Sequence, residues 1–198
     1  MRVSSVAAKG VMGSPDDANK TPFEEYRKNP DKYRLAANDP DAGPAGEGWN
    51  GRSGWTQDPD AGLHDMTKQE LVLEKLDHDF HREMDLKALY PTMTFAGKDT
   101  VGGRAVWVIE ATPADGPAEK LYFDVETGLL ARRDYERINM DSGILLYQVY
   151  FEDYRKVDGV AMPFRVRQTS TDGENIVEYS GIETNVPIDD GKFDKPAK

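Results

Sequence analysis

The stretch that most constrains this chain is Tyr150-Phe-Glu-Asp-Tyr-Arg-Lys-Val-Asp-Gly-Val-Ala-Met-Pro-Phe164. Two alternating, aromatic-rich arms flank Asp158-Gly159, a dipeptide that supplies the positive φ angles of a tight hairpin. Similar punctuation recurs through the C-terminal half, at Gly102-Gly103, Asp115-Gly116, Thr127-Gly128, Ser142-Gly143 and Asp172-Gly173. Between these turns, residues 92–97, 104–111, 119–125, 129–135, 144–154, 160–170 and 174–182 read as strands. Strands joined this tightly are antiparallel neighbours.

The N-terminal half is sparser. Residues 3–12, 21–27 and 32–37 read as strands, with Asn29-Pro30-Asp31 as a turn. Residues 38–48 and 57–65 read as loops. Trp49 to Trp55 is a hairpin by its Asn50-Gly51 turn, with a tryptophan on each arm. One helix is predicted over residues 68–89. A Thr67-x-x-Glu70 capping box opens it and Pro91 stops it. Leu73, Leu76, Phe80 and Met84 form a single apolar stripe on it, and His78 falls on the solvated side. Residues 187–198 read as a polar C-terminal tail behind a single domain of residues 1–186.

Alternation assigns the faces of the sheet. Leu121, Phe123 and Val125 share a side; so do Trp107 and Ile109, and Val160, Met162, Phe164 and Val166. One face is apolar and the other wet, as antiparallel sheets allow. A stripe of four apolar helix residues cannot cover so broad a face. Barrel closure, a ligand or a partner must account for the rest.

Composition narrows the function. The net charge of −11 over 198 residues argues against nucleic acid, which needs a basic surface. No run of apolar residues is long enough to span a bilayer as a helix. With no cysteine and three histidines, the chain offers no disulfide, thiolate metal site or cysteine nucleophile. His78 and His81 lie three apart beside acidic residues, but on the outward helix face. The Gly-x-Ser-x-Gly nucleophile motif does not occur. No catalytic residues, metal site or cofactor are expected.

Several phrases resemble a known family: Asn29-Pro-Asp-Lys-Tyr-Arg34, Gly48-Trp-Asn-Gly-Arg-Ser-Gly-Trp55, Leu121-Tyr-Phe-Asp-Val-Glu-Thr-Gly-Leu-Leu130, Tyr150-Phe-Glu-Asp-Tyr-Arg-Lys-Val-Asp-Gly-Val160 and Met162-Pro-Phe164. Together they resemble a divergent bacterial branch of the LolA-like, outer-membrane lipoprotein-sorting superfamily, over residues 3–195. The resemblance implies a mainly β fold. That fold is an open, unclosed antiparallel β-barrel with one long amphipathic helix covering its concave apolar face. It implies a non-enzymatic, periplasmic or envelope-associated protein whose leader is missing from this form. The partner would be an acyl chain of a lipid or lipoprotein. The alternative is a structural or interaction subunit that receives a protein partner on the same fold. The predicted apolar lining is Trp55, Leu73, Leu76, Phe80, Trp107, Phe123, Met162 and Phe164. Arg34 matches the position of the family's arginine that latches the helical lid.

Overall fold

A computed structural model describes residues 3–78, 86–114, 116–139 and 143–197. Its strands are β1 (Ser5–Gly13), β2 (Thr21–Lys28), β3 (Lys32–Asp39), β4 (Gly43–Trp49), β5 (Gly54–Asp58), β6 (Gly62–Asp65), β7 (Thr92–Val101), β8 (Arg104–Thr112), β9 (Glu119–Asp124), β10 (Leu130–Asn139), β11 (Gly143–Val157), β12 (Val160–Ser170) and β13 (Gly173–Thr184). They form one open sheet in the order β6-β5-β4-β3-β2-β1-β13-β12-β11-β10-β9-β8-β7. The chain starts near the middle of the sheet and steps outward to β6. It then crosses to the far edge at β7 and steps back until β13 closes against β1.

The crossing carries the helices, and here the sequence expectation fails. Instead of one helix over residues 68–89, the described residues hold α1 (Lys68–Asp77) and α2 (Leu86–Leu89), of ten and four residues. Among the described residues no long amphipathic helix covers the sheet, so the picture of a half-barrel with one such lid is replaced by an open sheet with two short helices. The capping box does form: Thr67 N–H donates to Glu70 Oε2 at 2.7 Å and Glu70 N–H to Thr67 Oγ1 at 3.3 Å. Residues 79–85, including Phe80, His81 and Met84, lie outside the described residues. None of the helices among the described residues is long and apolar enough to cross a membrane.

The two stretches read as loops are largely hairpins. Asp39-Pro-Asp-Ala-Gly43 and Asp58-Pro-Asp-Ala-Gly62 are the same pentapeptide and make the same turn. In each, the first aspartate accepts two backbone N–H groups, from Asp41 and Ala42 or from Asp60 and Ala61. In each, the closing glycine takes a positive φ, 94° at Gly43 and 72° at Gly62.

Strand register sorts the side chains onto two faces. Val6, Arg27, Tyr33 and Trp49 are cross-strand partners on one face; Leu121, Arg133 and Val149 continue it at the other end. Both helices lie on this face. The His78 ring stacks on Tyr33 at 3.7 Å, Lys75 Nζ sits 3.9 Å over Trp49, and Leu89 and Tyr90 pack on Leu121. His78, expected on the solvated side, is thus folded onto the sheet, with Nε2 3.1 Å from Glu47. The opposite face carries Arg34, Gly48 and Trp55. There the C-terminal segment turns through a short 3₁₀ helix (Asp190–Phe193), with Phe193 fully buried. Lys28 and Lys32 both reach Asp190, and Arg34 Nη1 donates to the Lys192 carbonyl at 2.8 Å.

Candidate apolar-ligand site

On the helix-bearing face, a cavity of about 210 Å³ opens between the β9–β10 turn and the β11–β12 hairpin. Leu86, Phe123, Leu130, Phe151, Tyr154 and Met162 supply most of its wall. Each element that holds the wall is fixed by local chemistry.

The β9–β10 turn is fixed by Asp124. Its carboxylate accepts from the backbone N–H of Glu126 and Thr127, from the Thr127 hydroxyl and from Arg104. Gly128 completes the turn at φ 70°. Hydrogen bonds from Arg104, then from the Thr127 backbone, hold the Asp124 carboxyl well below the usual carboxylate range. This is the structural content of the Asp-x-x-Thr-Gly-Leu phrase: a rigid turn that presents Leu129 and Leu130 to the cavity.

The helical side is fixed by a buried polar cluster. Tyr90, just after α2, donates to Glu119 Oε2 at 2.6 Å. Arg133 grips the same carboxylate with two bonds, at 2.7 and 2.9 Å. The Glu119 side chain is fully buried. The forked geometry leaves both carboxylate oxygens satisfied, which a buried charge requires.

Past Met162 the same face continues into a second, much smaller void of about 20 Å³, walled by Val6, Ala8, Val166, Tyr179 and Ile182. Met162 borders both spaces and is itself buried.

The structure divides the predicted lining. Phe123 and Met162 stand in the cavity wall. Trp107 shares their face, paired with Phe123, but is 36% exposed and packs edge-on to Phe95 outside the cavity. Phe164 is buried under the Arg155 guanidinium, 4.4 Å from its ring, and is not in this wall. Trp55 lies on the opposite face, where its Nε1 donates to the Phe193 carbonyl. Arg34 is beside it, 5.7 Å over the indole, and holds the C-terminal segment rather than a helix. Leu73 and Leu76 belong to α1, toward the other end of the sheet, and Phe80 is outside the described residues.

Sequence reasoning missed Leu86, Leu130, Phe151 and Tyr154. Phe151 and Tyr154 are three apart, so strict alternation would put them on opposite faces. Both nonetheless line the cavity, on either side of Asp153, whose φ is 51°. A signal was available for Leu130: it directly follows the Thr127-Gly128-Leu129 turn.

Among the described residues no group of three or more His, Asp or Glu side chains is placed to hold a metal ion.

No protein-family model and no curated protein matches this sequence. Solved structures do. A DUF1329 family protein from Desulfovibrio piger superposes with a TM-score of 0.69 at 16% identity, covering 97% of this chain and 90% of that one. A LolA superfamily protein from Nitrosomonas europaea gives 0.65 at 15% identity, over 98% and 90%. A putative outer membrane lipoprotein-sorting protein domain from Vibrio parahaemolyticus gives 0.66 at 12% identity, over 97% and 90%. The chain therefore has the fold of the LolA-like, lipoprotein-sorting superfamily across nearly its whole length. At these identities the likeness is one of fold.

Proposed function

We propose that this protein is a non-catalytic carrier or receptor of the bacterial envelope that holds one acyl chain of a lipid or lipoprotein in the cavity beside Met162. The observation that carries this reading is the cavity itself: apolar, preformed, and braced by a rigid turn and a buried ion pair rather than by loose loops. The fold it shares with lipoprotein-sorting proteins supports the same reading. Each methylene moved from water into such a wall contributes about 0.8 kcal/mol. Mass spectrometry of organic extracts from purified protein, with melting temperatures measured against added phospholipids and fatty acids, tests it. Co-purified acyl species, or a ligand-dependent rise in melting temperature, are the expected results. An empty extract together with no thermal shift sinks it.

One observation favours the protein-partner alternative. Met93, Phe95, Trp107 and Val125 form an exposed apolar group at the β7 end of the sheet, with Phe95 60% exposed. A partner's extended segment adding to the edge strand β7 would cover it. Phe95→Asp separates the readings: it abolishes partner capture and leaves lipid binding intact.

A further inference from the structure

The loop between β1 and β2 runs into the segment Asp17-Ala-Asn-Lys-Thr21. Asn-x-Ser/Thr, with x other than proline, is the acceptor signal for an N-linked glycan. No other asparagine of the chain has a serine or threonine two positions on. Here an acidic residue also stands two positions before the asparagine, the longer form of the signal that bacterial oligosaccharyltransferases take.

The fold presents this segment to solvent. Residues 14–19 are all exposed. The residues around Asn19 are pinned. Asp17 accepts the Ser14 N–H at 2.6 Å and donates its own N–H to the Ser14 carbonyl at 3.1 Å. Lys20 Nζ reaches Glu178 on β13 at 2.6 Å. Thr21 opens β2 and donates its hydroxyl to Asp39 Oδ2 at 2.6 Å. Between these anchors the Asn19 carboxamide makes no hydrogen bond to any described residue. The turn itself is built by Ser14 and Asp17 and does not use Asn19. The loop also lies away from the apolar cavity. Gly13 pairs with Ile176, and Ile176 with Arg167, toward the Ser170 end of β12; Val160 and Met162, at the other end of that strand, line the cavity.

We propose that Asn19 is the acceptor of an N-linked glycan, transferred from a polyprenyl-diphosphate-linked oligosaccharide. This rests on the envelope location in the reading above and adds a modification that the cavity does not involve. In the transfer, Asn19 Nδ2 bonds to the anomeric carbon of the first sugar. The carbon–oxygen bond to the diphosphate breaks and its electron pair leaves with the polyprenyl diphosphate. One proton leaves the amide nitrogen, and nothing is oxidised or reduced. The Thr21 hydroxyl, which a transferase must engage, is held by Asp39 in the folded protein. Asp39 therefore acts as a brake: its bond to Thr21 opens before the acceptor is taken up.

The test treats the folded protein with a purified bacterial oligosaccharyltransferase and a polyprenyl-diphosphate-linked oligosaccharide, read by intact mass and peptide mapping. One glycan on Asn19 is expected, and none in Asn19→Gln or Thr21→Val. Asp17→Asn keeps an acceptor for the Ser14 N–H but loses the charge, and should slow transfer about tenfold, the worth of one hydrogen bond to a charged group. Asp39→Ala should speed it. A folded protein left unmodified, in the parent and in Asp39→Ala alike, overturns the inference. Equal rates for the parent and Asp39→Ala remove the brake. As a second measurement, the protein is recovered from fractions of its own cells and its Asn19 peptide mapped. A glycan on Asn19 in the envelope fraction is the expected result. A bare Asn19 there overturns the inference and leaves the envelope location standing; recovery in the cytosolic fraction overturns both.

Discussion

The indole Nε1 of Trp55 donates to the main-chain carbonyl of Phe193 across a buried 3.2 Å hydrogen bond, joining a strand near one edge of the sheet to the last turn of the chain. Phe193 has no exposed surface at all. Phe193→Ala therefore costs about 3–5 kcal/mol of stability, as truncation of a buried aromatic does. Urea titration followed by tryptophan emission measures it. A cost under about 1 kcal/mol would show that the segment is not part of the folded core.

Acid should loosen the same segment. Hydrogen bonds from Lys28, then Lys32, hold the Asp190 carboxyl down at about 2. A carboxyl lowered in the folded state contributes stability that is fully present above its unfolded value of about 3.9 and is lost as pH falls toward the folded value. Melting temperature is expected to fall between about pH 4 and pH 2, and less steeply in Asp190→Asn. Parallel profiles for the two proteins would assign the acid sensitivity elsewhere.

Met162 sets how far an acyl chain can reach. Met162→Ala joins the cavity to the small void beyond it and costs about 2–5 kcal/mol of stability. In the variant, affinity should keep tightening by about fourfold per added methylene at chain lengths where the parent has levelled off. Isothermal titration with a homologous series of lysophospholipids reads this directly. An unchanged plateau argues that the second void is not reachable.

The Tyr90–Glu119–Arg133 cluster holds α2 over the cavity. Glu119→Ala strands a buried arginine, and removal of one partner of such a pair costs about 3–5 kcal/mol. Tyr90→Phe deletes one hydrogen bond and costs about 1 kcal/mol. Hydrogen exchange in residues 86–90 should rise in both, more in the first; uniform exchange across the two variants would mean that the cluster does not anchor the helix.

The sequence made the C-terminal meander legible because its turns are local: an Asp-Gly or Gly-Gly pair specifies a hairpin without reference to anything distant. The identical Asp-Pro-Asp-Ala-Gly turns at residues 39 and 58 are equally local, but their prolines make the sequence read as loop. The helix prediction overreaches because a capping box and a stripe announce where a helix starts and which side it buries, not where it ends. The cavity was half legible. Phe123 and Met162 obey alternation, whereas Phe151 and Tyr154, three apart, both line the cavity, which alternation does not predict. Trp55 and Arg34 were misplaced for a different reason. Their surroundings are made by Phe193 and Lys192, well over a hundred residues away, and composition alone marked that segment as a polar tail.

Because β1 sits between β2 and β13, Val6 finds Arg27 on one side and Thr184 on the other. Among the described strands, this β1–β13 seam joins the two that lie furthest apart along the sequence, and it is the one pairing of sequence-distant strands. Each remaining pair can form between strands adjacent in sequence; this one must wait until β13 is in place. Until then Val6, Ala8 and Met162 have only part of their packing, and the inner edges of two separate meanders stay open to other chains. Closing this central seam therefore also completes the packing around Met162, the wall between the two apolar spaces.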